Sequence, residues 1–226
     1  SATEYLNWIG GAQFSKTRGV GLYSEDALNL LDATYWRFYL FSNRPEQRDI
    51  DFSWEGLDKA INGVLANNIA NLIYRVASLT VRTYDGVVPH APIAQEIKEA
   101  VRETCEKYDS EIEEGYLASP LRRVSDLAVV GNEYVQREKP WESQKPEVIA
   151  SAYHLVKALA ILLEPFVPTF SRRACQALNI TEPKLADVVH IHESAIKLEP
   201  PERLLEKVEV EEIKEKYVQL GKDEEP

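Results

Sequence analysis

The chain has 226 residues, 44 % of them hydrophobic, with 37 acidic and 26 basic side chains and a formal net charge of −11. That length suits one large domain, or a domain with an appendage, built on a sizeable buried core. No apolar run approaches the ~20 residues that span a bilayer, no basic, apolar leader is read at the start, and so acidic a sum argues against a polyanionic partner for the surface as a whole.

The charge is unevenly placed. Ile9 to Ser24 contains no Asp or Glu, and neither does Lys59 to Tyr84, 26 residues in which the chain's average would put about four. A phosphate-binding surface needs basic groups and few acids locally, whatever the rest of the chain carries. Cys105 and Cys175 lie far apart and match no CxxC pattern, so they read as reduced core thiols of a cytoplasmic protein. His190 and His192 alternate in a short apolar run, which is too little for a metal site and suits a surface strand. No metal is expected. Methionine is absent throughout, and nothing physical explains it.

The chain opens on Ser1 and runs directly into a glycine-rich loop (Gly10, Gly11, Gly19, Gly21), as expected of a piece of a longer protein. Within it, Gln13-Phe14-Ser15-Lys16-Thr17-Arg18-Gly19 offers an ammonium, a guanidinium and two hydroxyls in four residues. Such a loop suits a polyanion; a basic surface loop is the plain alternative. Ser24-Glu25-Asp26 reads as a helix start with acids in the first turn, and the helix is expected to run to about Phe41, before Arg44-Pro45 breaks it.

A second helix is predicted from near Ser53 to about Thr83, closed by Asp85-Gly86 and Pro89. At ~100° per residue, Ile61, Leu65, Ile69, Leu72, Val76 and Leu79 share the core side. Asn67, Asn71, Tyr74, Arg75, Ser78 and Arg82 share another. Asn71 and Arg75 are i,i+4 neighbours and can approach one target. Amides and guanidinium groups read base edges; an ordinary polar face with inter-helix hydrogen bonds is the competing reading.

Further helices are expected at Ala94 to Ile112, Leu117 to Arg137, Pro146 to Leu163 and Thr169 to Leu178, the last set off by Pro165 and Pro168. Trp141, in Lys139-Pro140-Trp141, falls at a bundle rim, where a ring either stacks on an unpaired base or packs into the core. Trp8, Trp36 and Trp54 read as structural. Asp187 to His192 is the best strand signal. After Pro200-Pro201 a charged helix is expected over Arg203 to Leu220, free either to dock on the bundle or to lead elsewhere. The sum is an all-α helical bundle with short connections.

Phe14-Ser15-Lys16-Thr17, with its glycine pair before and Arg18-Gly19 after, resembles the KMSKS signature of class I aminoacyl-tRNA synthetases in its methionyl version. Asn71-Leu72-Ile73-Tyr74-Arg75 and Pro140-Trp141 resemble segments of the anticodon-binding domain of methionyl-tRNA synthetases, as do Pro165-Phe166-Val167-Pro168 and Leu198 to Val208. The resemblance covers nearly the whole chain. It implies a bundle of the class I anticodon-binding type over 51–182, preceded by the signature loop and linker over 1–50 and followed by a charged tail over 183–226. It further implies Ser15, Lys16 and Thr17 as ATP-binding residues, with Lys16 stabilising charge at the transferring phosphoryl, and Asn71, Arg75 and Trp141 as anticodon-binding residues. The first signature lysine is replaced by Gln13. The implied parent ligates methionine to its tRNA with ATP and magnesium. No HIGH-like signature or parallel-sheet pattern is present, so this chain alone is expected to be inactive and to hold no ATP. Leucyl, isoleucyl, valyl and cysteinyl enzymes share a similar loop and helical domain, and a non-catalytic helical interaction module is the reading from a different class.

Overall fold

The computed structural model describes residues 3–15, 17–191 and 195–220, and over these the all-α expectation holds. Lys16 and His192 lie outside the described residues. Two short strands, β1 (Leu6–Asn7) and β2 (Ile50–Asp51), pair in parallel near the start.

The first predicted helix is two: α1 (Ser24–Leu30) and α2 (Ala33–Ser42). Leu31 between them is extended, and the Asp32 carboxylate accepts from the Thr34 amide at 2.8 Å. A short acceptor at that point satisfies a free helical N–H and starts a new helix instead of continuing the old one. The Trp36 indole N–H donates to the Ala27 carbonyl at 2.8 Å and ties the two together.

The second predicted helix is continuous but changes pitch. It begins as α3 (Trp54–Asp58), capped by Ser53 Oγ on the Gly56 amide, passes through a π-helical segment (Lys59–Ala70), and finishes as α4 (Asn71–Tyr84). All six predicted core positions, Ile61 to Leu79, are buried. Asp85 closes the rod at φ 49°, and Gly86 follows at φ +80°. A Cβ on Gly86 would collide with the Leu198 carbonyl. This close approach lets Leu198 N–H bond Gly86 O at 2.8 Å and Val88 N–H bond Ile196 O at 2.9 Å.

Around the rod stand α5 (Gln95–Glu113), α6 (Ala118–Glu138), the single turn α7 (Pro140–Ser143), α8 (Pro146–Leu162) and α9 (Pro168–Ala177). Helix α8 is buried along its whole length after the first turn and forms the axis of the core. Gly131 on α6 allows close packing, since a Cβ there would sit 2.6–2.7 Å from Leu155 of α8 and Leu72 of α4.

The predicted strand at 187–192 does not form in its described part. Leu185–Asp187 is a 3-10 turn, and the buried Lys157 ammonium of α8 donates to the carbonyls of Asp187, at 2.6 Å, and His190. A cation under the segment takes the carbonyls that a neighbouring strand would have taken.

The C-terminal helix is also shorter than expected. Residues 203–209 are non-helical, and α10 spans Val210–Gln219. Bundle side chains hold the non-helical stretch. The Asn62 amide donates to Val208 O at 2.6 Å and accepts from Val208 N–H at 3.0 Å, and Tyr35 Oη donates to Glu206 O at 2.8 Å. These bonds replace the intrahelical ones. Helix α10 docks through Val210, Ile213 and Tyr217, the last fully buried between Trp8 and Trp54. Trp8, Trp36 and Trp54 are all core residues, as expected.

Burial makes stability depend on pH in the alkaline range. Desolvation lowers Lys157 to about 8, against a smaller opposing pull from Asp187. From about pH 8 upward the unfolded chain holds more protons there than the fold does, so stability rises. Desolvation raises Cys175 to about 11 and lifts Tyr108 and Tyr153 well above the usual tyrosine value. Above the unfolded values of 9 and 10 these groups stay protonated only in the fold, so stability falls. Melting temperature is therefore expected to climb slightly from pH 8 to 9 and to fall beyond pH 10. Lys157→Met should abolish the climb and keep the fall; a climb that survives the substitution would assign it to another group.

Candidate nucleic-acid interface

The acid-free face of the rod is accessible. Asn67, Asn71, Tyr74 and Arg82 are exposed, and Arg75 and Ser78 are half-buried. Asn71 and Arg75 lie one turn apart on α4, but their neighbours differ. Asn71 lines a cleft of about 320 Å³ with Asn67 and Tyr74, whose far wall is Arg203, Leu204, Leu205 and Lys207. Arg75 leans toward α6, where its Nη1 donates to Asn132 Oδ1 at 3.4 Å.

Trp141 is 36 % exposed, which sets it apart from the buried Trp8, Trp36 and Trp54. Its position is held from both sides. Lys139 at φ 44° ends α6, Pro140 opens α7 with its ring buried, and Gln144 at φ 47° ends the turn. Proline suits the first helical position because its missing N–H would have had no partner. Helix α7 packs on the C-terminal part of α4, and Tyr84 Oη donates to Gln144 O at 2.6 Å. The indole N–H of Trp141 reaches Glu142 Oε1 at 3.3 Å, while Lys139 Nζ lies 3.8 Å from Glu142 Oε2. Arg75 and Trp141 are thus carried by two elements in direct contact.

The glycine-rich loop sits elsewhere. Ser15 and Val20 exchange both backbone hydrogen bonds at 3.0 Å, which closes the segment between them. The Ser15 and Thr17 hydroxyls are 3.3 Å apart, and Thr17 and Arg18 are exposed. Phe14 packs edge-on to Trp8 and to Tyr23. Gly21, at φ +102°, makes room for the Phe14 ring. Trp8 contacts Trp54 at the start of the rod, so the loop packs at that start, whereas Asn71 and Arg75 lie on α4, the second half of the rod. The exposed Thr17 hydroxyl and Arg18 guanidinium are donors of the kind that phosphate oxygens accept from.

Three contributors are not anticipated from sequence. Asn132 lies 57 residues from Arg75 in sequence, and only inter-helix packing brings the two together. Arg203 and Lys207 were assigned to a helix, and in their non-helical setting they wall the cleft instead. Among the described residues no group of three or more His, Cys, Asp or Glu is placed to hold a metal ion, and no helix is long and apolar enough to cross a membrane.

Comparison with known proteins matches residues 1–77 to the model of class I (M) tRNA synthetases and residues 88–224 to the anticodon binding domain of methionyl tRNA ligase. The chain is 36 % identical over 197 residues to the methionine–tRNA ligase of Thermococcus kodakarensis, covering 81 % of this chain and 26 % of that one. It is 32 % identical over 220 residues to that of Caldivirga maquilingensis, covering 94 % and 38 %. The fold is similar to Mycobacterium tuberculosis methionyl-tRNA synthetase in complex with methionyl-adenylate, with TM-score 0.76 at 18 % identity over 87 % of this chain and 42 % of that one. The chain thus spans about a quarter to two-fifths of the length of these curated relatives.

Proposed function

The chain belongs to the methionyl-tRNA ligase family, and from that premise we propose that it is the part of such a ligase that reads the tRNA anticodon and carries its KMSKS-type loop. In this reading the parent joins methionine to its tRNA, first forming an acyl-adenylate with ATP and magnesium and then transferring the acyl group to a terminal tRNA hydroxyl. In this reading residues 51–182 are the reading bundle, 1–50 the loop and linker, and 183–226 the tail, whose helix α10 packs on Trp8 and Trp54. The parent works in the cytoplasm, where Cys105 and Cys175 stay reduced.

The observation that carries the reading is the exposed, acid-free face of α4 with an accessible tryptophan on the turn packed against it. Asn71 supplies an amide for bidentate contact with a base edge, and Arg75 a guanidinium for base or phosphate. Trp141 supplies a stacking plate. Arg203 and Lys207 line the cleft beside Asn71, each paired with a carboxylate, Glu206 at 3.8 Å and Glu209 at 3.5 Å. The partner this face suits is the unstacked anticodon of methionine tRNA, because single-stranded loops expose both base edges and base faces.

The loop has a separate task. Ser15 and Thr17 offer hydroxyls to phosphate oxygens, and Lys16 offers a fixed positive charge. ATP supplies the activated phosphoryl group when bound. Gln13, a neutral donor where the signature has its first lysine, leaves Lys16 and Arg18 as the cations of the segment.

Two measurements test the two halves. The 226-residue chain is expected to bind a stem-loop RNA with the anticodon CAU more tightly than loops with one anticodon base changed; equal affinities would overturn the anticodon reading. The same chain is expected to support no methionine-dependent pyrophosphate exchange, while Lys16→Ala in the whole ligase should slow that exchange by about 100-fold or more, the range for loss of one preorganised charge. Exchange by the chain alone would refute the assignment of the loop as one part of a larger site.

A further inference from the structure

Arg75 serves a base better when its guanidinium is held, since a free arginine side chain loses rotamer entropy on binding. What holds it is on α6. The two N–H of Asn132 Nδ2 are shared among three oxygens: the Asn68 carbonyl at 3.0 Å, the Asn68 side-chain Oδ1 at 2.7 Å, and the Ala128 carbonyl at 3.0 Å. Asn68 is fixed in turn, its own Nδ2 donating to Ser125 O at 3.3 Å. The network decides which way round the Asn132 amide sits. Turning it over would set its oxygen against three acceptors, so its carbonyl must face away from Asn68. Facing that way it meets Arg75 Nη1 at 3.4 Å.

Asn68 belongs to the last turn of the π-helical segment, directly before Asn71 opens α4. π-helical turns are rare and concentrate at functional sites. Here the π turn turns Asn68 toward α6, while Asn67 and Asn71 line the cleft on the side of Arg203 and Lys207. Asn132 therefore clasps the point where the rod changes pitch and, by the same amide, orients the arginine of the reading face.

We propose that Asn132 is a positioning residue for RNA recognition: locked by Asn68 and Ala128, its carbonyl presets the Arg75 guanidinium and so sharpens discrimination among anticodon bases. The inference rests on the anticodon reading above. Asn132 makes no contact with RNA in this role and acts through Arg75 alone.

A double-mutant cycle separates this from a merely structural part. Affinities of wild type, Arg75→Ala, Asn132→Ala and the double variant are measured for the CAU stem-loop and for loops with one anticodon base changed, with melting temperature followed throughout. Asn132→Ala is expected to weaken CAU binding about tenfold and to narrow the gap between CAU and the changed loops. In the Arg75→Ala background the same substitution is expected to change neither. Equal losses in both backgrounds would show that Asn132 acts on the fold and overturn the proposal. Should Asn132→Ala fail to fold, Asn132→Ser serves, since its hydroxyl can still bond the Ala128 carbonyl four residues back. Failure of the underlying reading looks different: Arg75→Ala would then bind every loop as wild type does.

Discussion

Trp141→Ala is expected to weaken binding of the CAU stem-loop RNA by about 5- to 150-fold, the value of losing one base–aromatic stack at about 1–3 kcal/mol, with a melting temperature within about 1 °C of wild type. The two expectations come from the same geometry. The ring is 36 % exposed, its backbone is held by Pro140 and by left-handed residues on either side, and its indole N–H reaches the exposed Glu142 carboxylate. Truncating it leaves no buried cavity, so the core-mutation penalty does not apply. Salt adds a second check. Loss of a neutral ring should leave the slope of log affinity against log salt unchanged, whereas Arg75→Ala should flatten it by about one counterion. Trp141→Phe keeps a smaller plate and is expected to fall between the two. A large drop in melting temperature for Trp141→Ala would place the ring in the core and remove it from recognition.

Sequence reading succeeded where periodicity is long and failed where side chains from distant elements decide. The rod from Trp54 to Tyr84 was legible because six apolar residues recur at spacings of three and four on one side, and all six are buried. The π-helical pitch over Lys59–Ala70 was not, since a spacing of four at Ile61, Leu65 and Ile69 suits a wider turn as well as an α-helix. The break at Leu31-Asp32 is not legible because the apolar spacing of Leu28, Leu31, Tyr35 and Phe38 runs on across it, while Asp32 caps a new helix. Residues 203–209 carry helix-forming Glu, Leu and Lys, yet Asn62, Tyr35 and Arg173 take their backbone groups from outside. No local pattern reports partners 30 to 171 residues away. The candidate interface shows the same division. Asn71, Arg75 and Trp141 follow from motif and helical spacing; Asn132, Arg203 and Lys207 needed the packing of α6 and of the tail.

The largest stability effect is expected at Trp8. It is buried, stacks on Phe52 with rings nearly parallel at 4.7 Å, and meets Trp54, Phe14 and Tyr217 at its edges. One ring thereby joins the glycine-rich loop, the residue after β2, the start of the rod and the last helix. Trp8→Ala should cost about 3–5 kcal/mol, the range for emptying a packed aromatic site, which at this chain length corresponds to a fall of roughly 10 °C in melting temperature. The loss should not be uniform. Helix α10 is only ten residues long, too short to persist without tertiary contacts, and Tyr217 would lose a principal neighbour. Limited proteolysis is therefore expected to cut first between residues 199 and 209, while α4, α6 and α8 remain protected. Trp8→Phe, which still stacks on Phe52, should recover part of the stability and most of the protection. If Trp8→Ala left cleavage in that segment unchanged, the tail would be held by Asn62, Tyr35 and Arg173 instead, and the aromatic cluster would not be what couples the loop to the rest of the molecule.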